Sequence, residues 1–349
     1  MKNFIAATAC TALALLILPL QAASQTDSPT TQSTAAETQL DAALDQAMEK
    51  AAELPQLNAM IVGRDGEVLA ERVYDGPGLD TPVNIKSASK SLLSALAGIA
   101  IERGDIESVD TALADILTVP ATADDQVDTI TIEDLLTMRA GLSSTSGRNY
   151  GAWVVSDNWV TYALTRDMAA APGGPMIYST GTSHLLSAAL TKATGRSTLA
   201  LFRDWLGEPL DISFPPWTRD PQGIYMGGNN MALSPRALFR LGELYRLDGV
   251  WEGERVLPEG WVEASWTPRV TSPWSGGSYG YGWWIARAGG HDVYYAWGYG
   301  GQMVYVVPGL SMTVVMTSDP NARSVDGHIQ SLHSLVAREL IPAVEAAGT

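Results

Sequence analysis

Short hydrophobic runs with the length and composition of β-strands lie near both ends of the chain. Two of them cover residues 58–62 and 67–74, and Arg64-Asp65-Gly66 between them is typical of a hairpin turn. Near the carboxyl end, the turn signals Gly289-Gly290 and Pro308-Gly309 separate further runs rich in Tyr, Val and Trp. These later runs cover residues 279–287, 291–297, 303–307 and 311–317.

Helical patterns fill the part of the chain between these strands. A buried helix is predicted from Ser87 to Arg103, ending at Gly104. Thr131, with Asp134 three residues later, predicts a capping box at the start of another helix. Further helices are predicted over residues 183–194, closed by Gly195, and from Ser234-Pro235 to about Gly249.

Two more helices are predicted, one before the first strands over residues 40–52 and one after the last strands over residues 326–344. The fold class that follows is α/β (α+β): an antiparallel β-sheet built from both chain ends and flanked by helices, with an inserted, mostly helical lobe. The sheet lobe would take residues 40–80 and 275–349, and the helical lobe residues 81–274.

The first 24 residues have the pattern of an export signal. Lys2 is followed by a nearly continuous apolar run over residues 4–20 and then by the small residues 22–24. We expect cleavage there and an exported protein, periplasmic or secreted, although a membrane anchor stays open as an alternative. Residues 25–39 are rich in Ser, Thr, Gln and Ala and predict a disordered linker.

Composition excludes several classes of function. The single cysteine, Cys10, lies in the predicted signal, so the mature chain would have no disulfide, thiolate metal site or cysteine nucleophile. A net charge of −16 argues against nucleic acid and anionic membrane surfaces as partners. The histidines His184, His291, His328 and His333 show no metal-binding spacing, so we predict neither a metal nor an organic cofactor.

Candidate chemistry begins with Ser87-Ala88-Ser89-Lys90. Positions three apart on a helix share one face, so the Ser87 hydroxyl and the Lys90 amine can meet. A serine becomes a good nucleophile when a neighbour takes its proton, and burial favours the neutral amine that can do so. The apolar flank that follows predicts such burial, with Leu92, Leu93, Leu96 and Ile99. Ser87 is therefore the candidate nucleophile and Lys90 the candidate base.

Three motifs in order resemble the serine β-lactamase and penicillin-binding-protein superfamily. They are Ser87-Ala88-Ser89-Lys90, Tyr178-Ser179-Thr180 after Pro172-Gly173-Gly174, and Ala296-Trp297-Gly298 on a late strand. Gly227-Gly228-Asn229-Asn230-Met231 is also similar to sequences of this superfamily. The likeness is strongest to the branch that holds class C β-lactamases, related esterases and 6-aminohexanoate-dimer hydrolases.

The resemblance implies a serine hydrolase that forms an acyl-enzyme on Ser87. Tyr178 would place its hydroxyl near Ser87 and Lys90 and pass a proton to the leaving group. The backbone N–H groups of Ser87 and Tyr299 would hold the oxyanion. Gly298 would let its strand come close to the substrate.

The second and third motifs depart from the pattern of the superfamily. Thr180 stands where many members have the Asn that binds the acyl side chain, and Ala296 stands where β-lactamases and peptidases have Lys or His. Thr180 and Trp297 are expected to contact substrate, and without a cation the site favours small, linear, less charged esters or amides. A rival register takes Tyr299-Gly300-Gly301 as the third motif and moves the oxyanion N–H to Gln302.

Other functions stay open at this point. A β-lactamase or D-alanyl-D-alanine carboxypeptidase is the alternative enzyme, and a catalytically silent binding protein of the same fold is the alternative from another class. Gly276-Gly277-Ser278-Tyr279-Gly280 has the letters of a nucleophile elbow but lacks its strand-then-helix context. A Ser-His-Asp triad has no sequence signature that would exclude it.

Two further predictions concern side chains around the motifs. His184 follows the second motif, and we predict a packed histidine while leaving open a supporting role at the site. Several tryptophans are candidates to line a substrate cleft, although some must be core: Trp153, Trp159, Trp283, Trp284 and Trp297. The sequence gives no indication of the oligomeric state.

Overall fold

The computed structural model of the protein describes residues 35–322 and 327–347. The strands in these residues are β1 Leu57–Arg64, β2 Glu67–Val73, β3 Val83–Asn84, β4 Ala232–Leu233, β5 Val250–Trp251, β6 Glu254–Arg255, β7 Val270–Thr271, β8 Ser278–Tyr279, β9 Trp284–Ala288, β10 His291–Gly298, β11 Gln302–Val307 and β12 Met312–Ser318. The α-helices are α1 Ala35–Ala52, α2 Ser89–Glu102, α3 Leu113–Ile116, α4 Ile132–Leu136, α5 Tyr150–Val154, α6 Trp159–Leu164, α7 Thr180–Thr194, α8 Thr198–Phe202, α9 Glu208–Leu210, α10 Pro235–Arg246, α11 Trp261–Trp266, α12 His328–Leu335 and α13 Ile341–Ala346. Turns of 3-10 helix occupy Lys86–Ala88, Asp125–Thr129, Gly147–Asn149 and Pro308–Leu310, and π-helical turns occupy Arg203–Gly207 and Val336–Leu340.

An antiparallel sheet of eight strands forms the centre of the fold, in the order β2-β1-β12-β11-β10-β9-β8-β7. The amino-terminal hairpin β1–β2 joins the carboxyl-terminal strands because β1 pairs with β12, with Ile61 opposite Val315. The predicted antiparallel sheet built from both chain ends is therefore confirmed. The boundaries of the two lobes stay a prediction.

Both faces of the sheet are covered, which explains why its central strands are almost continuously hydrophobic. Adjacent residues of a strand point to opposite faces, so Met60 and Ile61 enter different cores. Ile61 packs in the core that contains Leu96 of α2. Met60 packs in the core that contains Leu44 of α1 and Leu332 of α12.

The prediction of one continuous strand over residues 279–287 is wrong. The structure has β8 and β9 as separate short strands, with a break over residues 280–283. Gly282 adopts a φ of +78° there, and a side chain at Gly280 would overlap the carbonyl oxygen of Ser265. The paired two-residue strands β3–β4 and β5–β6 were not predicted, because two residues carry no periodicity.

The terminal helices pack together but differ from their predicted limits. Helix α1 begins at Ala35, so residues 35–39 belong to a helix rather than to the predicted linker, consistent with the helix formers Ala35, Ala36 and Glu37. Residues 1–34, with the predicted signal and the rest of the linker, lie outside the described residues. The predicted last helix contains the π turn just before Pro342, which has no N–H to donate to the preceding turn.

Helix α2 begins two residues later than predicted. Ser87 lies in the 3-10 turn Lys86–Ala88 that leads into α2, rather than in the helix itself.

Within residues 35–322 and 327–347, no helix combines the length and the apolar character that a membrane crossing requires.

The predicted capping box at α4 is confirmed. The hydroxyl of Thr131 accepts the N–H of Asp134 at 3.2 Å, and the Asp134 carboxylate accepts the N–H of Thr131 at 3.0 Å. These bonds satisfy backbone donors at the helix start, where no helical partner exists.

Removing this cap should destabilise the fold. We expect Thr131→Ala to lower the free energy of unfolding by about 1 kcal/mol. Urea denaturation measures this loss. Thr165→Ala is the control, because the Thr165 hydroxyl donates to the carbonyl of Thr161 in α6 and belongs to no capping box. Equal effects of the two substitutions would contradict a special contribution from the cap.

Candidate active site

Ser87 and Lys90 lie next to each other, as their spacing predicted. Lys90 is in the first turn of α2, and its Nζ lies 3.0 Å from the Oγ of Ser87. This distance allows a direct proton transfer between the hydroxyl and the amine.

The turn that carries Ser87 is held on both sides. Lys86 has a φ of +51°, a left-handed conformation that is uncommon for a residue with a side chain. The N–H of Lys86 donates to Oδ1 of Asn84 at 2.9 Å, and the Ser89 hydroxyl donates to the Lys86 carbonyl at 2.7 Å. These bonds fix the strained turn and thereby the position of Ser87.

The Lys90 amine is buried against a glycine loop. Lys90 is only 4% exposed, and its Nζ donates to the carbonyl oxygen of Gly228 at 2.7 Å. Gly228 has a φ of +75°, and a Cβ there would lie 2.8 Å from Cγ of Lys90, so the loop approaches this closely only with glycine. Burial lowers the pKa of Lys90 to about 7.

A pKa near 7 changes what Lys90 can do. At neutral pH a large share of the amine is uncharged and has a lone pair facing the Ser87 hydroxyl. Lys90 can then accept the proton of Ser87 while it donates one of its own N–H bonds to Gly228.

Tyr178 completes the predicted set of catalytic side chains. Its hydroxyl is hydrogen-bonded to Ser87, and its ring centroid lies 4.9 Å from Nζ of Lys90. Burial raises the pKa of Tyr178 to about 12, against a smaller lowering by the hydrogen bond to Ser87. Tyr178 therefore stays protonated at neutral pH and is available as a proton donor.

Three aromatic rings surround Tyr178. The ring centroids of Trp274, Tyr279 and Trp284 lie 6.5, 6.5 and 6.1 Å from that of Tyr178. Trp297 packs on Trp284 with centroids 5.5 Å apart. Trp274 and Tyr279 were not predicted as neighbours of Tyr178, although a tryptophan in the polar stretch of residues 271–278 was an available signal.

Four of the five candidate cleft tryptophans are buried, in line with the expectation that some of them are core. Trp153, Trp159, Trp283 and Trp284 are buried. Of the five, Trp284 lies against Tyr178, and Trp297 packs on Trp284. Trp153 and Trp159 lie apart from Trp283, in a separate hydrophobic cluster. Tryptophans that are far apart in sequence carry no signal of which neighbours they meet.

The third motif lies at the end of β10. A Cβ at Gly298 would overlap the carbonyl oxygen of Ile85, so this strand end packs directly on the segment that leads into Ser87. Tyr299 follows in the turn to β11 and is 56% exposed. In the rival register the third glycine would be Gly301, which packs on Ser318 instead. The glycine beside the Ser87 segment is therefore Gly298, which favours the register Ala296-Trp297-Gly298. Ala296 itself is buried.

Thr180 is buried beside Ser146. It is the first residue of α7 and is 5% exposed, and its hydroxyl lies 3.0 Å from the hydroxyl of Ser146. Its N–H donates to the same Ser146 oxygen at 2.8 Å. A role of Thr180 in substrate binding stays a prediction, and Ser146 is a neighbour that the sequence did not indicate.

Among residues 35–322 and 327–347, no three His, Cys, Asp or Glu side chains converge in the manner of a metal site. The arrangement that is present is a serine, a buried amine and a protonated phenol within contact of one another. Such a group can activate a hydroxyl nucleophile without a metal.

The burial of Lys90 should make the stability depend on pH. The pKa of Lys90 is about 7 in the folded chain, against 10.5 for a free lysine, so the unfolded chain binds more protons between these values. The free energy of unfolding therefore rises with pH in this window. Between pH 7 and pH 9.5 the free energy of unfolding of the wild type should rise by about 3 kcal/mol more than that of Lys90→Met.

Chemical denaturation of both proteins at the two pH values measures this gain. Lys192→Met is the matched control, because Lys192 is exposed and its removal should leave the pH dependence as it is. A wild-type curve parallel to that of Lys90→Met would show that the Lys90 amine is not desolvated.

Comparisons with known proteins identify the family of the chain. The Beta-lactamase family model matches residues 40–335. The chain is 26% identical over 320 residues to 6-aminohexanoate-dimer hydrolase of Paenarthrobacter ureafaciens, which covers 83% of this chain and 79% of that protein. Among solved structures, EstCE1, a hydrolase with promiscuous acyltransferase activity, shares the fold with a TM-score of 0.71 at 17% identity, over 90% of this chain and all of that one. An octameric penicillin-binding protein homologue from Pyrococcus abyssi has a TM-score of 0.66 at 19% identity, over 86% of this chain and 77% of that one. The chain therefore belongs to the β-lactamase family of serine hydrolases.

Proposed function

We propose that the protein hydrolyses small esters or amides through an acyl-enzyme on Ser87, with Lys90 as general base. The observation that carries this proposal is the buried Lys90 amine, 3.0 Å from the Ser87 hydroxyl and with a pKa lowered to about 7. A base is most effective when its pKa lies near the working pH.

The first half of the reaction acylates the enzyme. Lys90 takes the proton of Ser87, and Oγ attacks the carbonyl carbon of the substrate. The negative charge on the former carbonyl oxygen is held by the backbone N–H groups of Ser87 and Tyr299. Tyr178 gives its proton to the leaving alcohol or amine as the scissile bond breaks, and it recovers a proton from Lys90.

The second half releases the acid product. A water molecule attacks the acyl carbonyl and loses a proton to Lys90. The ester bond to Ser87 breaks, and Oγ recovers that proton from Lys90. The cycle thus needs no cofactor, because the same amine takes and returns the proton in both halves.

The substrate class follows from what lines the site. Ala296 and Thr180 replace residues that would hold a carboxylate and an acyl amide in β-lactam-directed relatives, and both are buried. The exposed rings of Trp274 and Tyr299 offer apolar surface instead. These features favour uncharged, linear substrates, and the similarity to 6-aminohexanoate-dimer hydrolase supports amides among them.

Penicillin binding is the second candidate. The match to the Beta-lactamase family model over residues 40–335 favours it, while the absence of Lys or His at Ala296 speaks against it. A catalytically silent binding protein is the third, and the contact of Ser87, Lys90 and Tyr178 speaks against that role.

We also propose that the protein is exported, to the periplasm or outside the cell. The support is the amino-terminal pattern of Lys2, the apolar run over residues 4–20 and the small residues 22–24.

Ser87 should be the acylated residue. We expect the wild-type protein to hydrolyse a small p-nitrophenyl ester, and intact-mass spectrometry to detect an acyl adduct that Ser87→Ala lacks. The mature protein is also incubated with a penicillin. A Ser87-dependent penicillin adduct would favour the second candidate, and no reaction with either reagent would favour the silent binder.

The rate of ester hydrolysis should report the titration of Lys90. Below about pH 7 the amine is protonated and cannot act as a base, so kcat/KM should fall about tenfold for each pH unit. A neutral ester is used so that the substrate does not titrate. If kcat/KM still rises with pH above pH 9, the base is a lysine with an ordinary pKa. If kcat/KM is constant from pH 5 to pH 8, Lys90 is not the base.

A further inference from the structure

His184 and Asp220 form a fully buried pair next to the glycine loop that contacts Lys90. Nε2 of His184 lies 3.1 Å from Oδ2 of Asp220, and both side chains are inaccessible to solvent. The other carboxylate oxygen of Asp220 accepts the N–H groups of Gln222 at 2.9 Å and Ile224 at 2.8 Å. The tight turn over residues 220–224 therefore fixes the carboxylate, which accepts the Nε2–H of the histidine.

The opposite side of the His184 ring contacts the loop. The N–H of Gly227 donates to Nδ1 of His184 at 3.4 Å, which requires Nδ1 to be unprotonated. The carboxylate on Nε2 and the amide on Nδ1 thus select the same neutral tautomer. The next residue, Gly228, supplies the carbonyl oxygen that accepts the Lys90 amine.

The loop over residues 227–231 is held at both of its ends. At its far end the carbonyl of Met231 accepts the N–H of Ile85 at 2.9 Å, where β4 begins to pair with β3. At its near end the bond to His184 holds Gly227. The ring of His184 lies against Trp153 and Trp159, at 5.7 and 5.4 Å between centroids, so the ring cannot readily tilt.

We propose that His184, oriented by Asp220, is a positioning residue that holds the Gly228 carbonyl against the Lys90 amine. This inference rests on the proposed role of Lys90 as general base. The path runs through four bonded steps, from the fixed Asp220 carboxylate to the imidazole, the Gly227 amide, the Gly228 carbonyl and Nζ of Lys90.

If the loop moves away, water reaches Lys90 and its pKa rises toward the ordinary value, because burial is what lowers it. Tyr178 is the titratable side chain that contacts Lys90, and it stays protonated at neutral pH. A change in the titration of Lys90 therefore reports the position of the loop.

Three substitutions separate the two bonds of the imidazole. His184→Asn keeps an acceptor oxygen near the place of Nδ1 and loses the bond to Asp220. His184→Gln keeps a donor near the place of Nε2 and loses the acceptor for Gly227. Asp220→Asn nearly preserves volume, but its amide favours the other histidine tautomer, whose Nδ1–H opposes the N–H of Gly227.

The test is the titration of Lys90 followed by NMR with ¹³C-labelled lysine, which is practical because the chain has five lysines. We expect His184→Gln and Asp220→Asn to raise the pKa of Lys90 by about one unit or more, and kcat/KM at pH 7 to fall about fivefold or more with it. His184→Asn should keep the titration near that of the wild type. Near-UV circular dichroism and thermal melting establish that each variant is folded.

Two results would overturn the inference. One is an unchanged Lys90 titration in folded His184→Gln and Asp220→Asn. The other is an equal shift in all three variants, which would mean that ring packing matters rather than the bond to Gly227. A measurement on the wild type covers variants that fail to fold: the ¹⁵N shifts of the four histidines must include a buried Nε2-protonated ring for His184, and an Nδ1-protonated ring would refute the proposal.

The NMR readouts do not need catalysis. A protein that hydrolyses nothing but shows the expected shifts would retain this inference and lose the proposed function. An active enzyme with unchanged shifts would do the reverse.

Discussion

The burial of one lysine amine is the constraint on which the rest of the site depends. Lys90 lies at the start of a helix whose face is packed into the core, and a glycine loop closes over it, so its pKa falls to about 7. Keeping this amine from water costs stability, because the charged form is excluded. The same cost makes the amine a base at neutral pH, which a solvated lysine is not.

The fold meets this constraint by bringing three distant segments close together at one point. The end of β10 packs on Ile85, and the loop at Gly228 packs on the side chain of Lys90. Tyr178, which lies just before α7, contacts the Lys90 amine with its ring. The first two approaches are possible only where no Cβ stands in the way, which explains glycine at 228 and 298. The close fit excludes water from the amine and holds the phenol beside it.

Membership of the β-lactamase family and the chemistry of the site lead to different expectations about substrate. The proposed catalytic residues Ser87, Lys90 and Tyr178 resemble those of the family, but Ala296 and Thr180 are enclosed and offer no charge. Trp274, whose ring lies 6.5 Å from that of Tyr178, is exposed, and so is Tyr299. The substrate therefore has to be argued from the side chains of the site rather than from the family fold.

The sequence by itself determined the parts of this protein that depend on local geometry. The spacing of Ser87 and Lys90, the capping box at Thr131 and the strands at both chain ends follow from helical and strand periodicity, which neighbouring residues set. The tertiary structure alone decided the contacts between distant segments, such as the Gly228 carbonyl 138 residues beyond Lys90 and the His184–Asp220 pair. It also showed that four of the five candidate cleft tryptophans are buried. The physical reason is that such contacts depend on the path of the whole chain, and no periodicity in the sequence records that path.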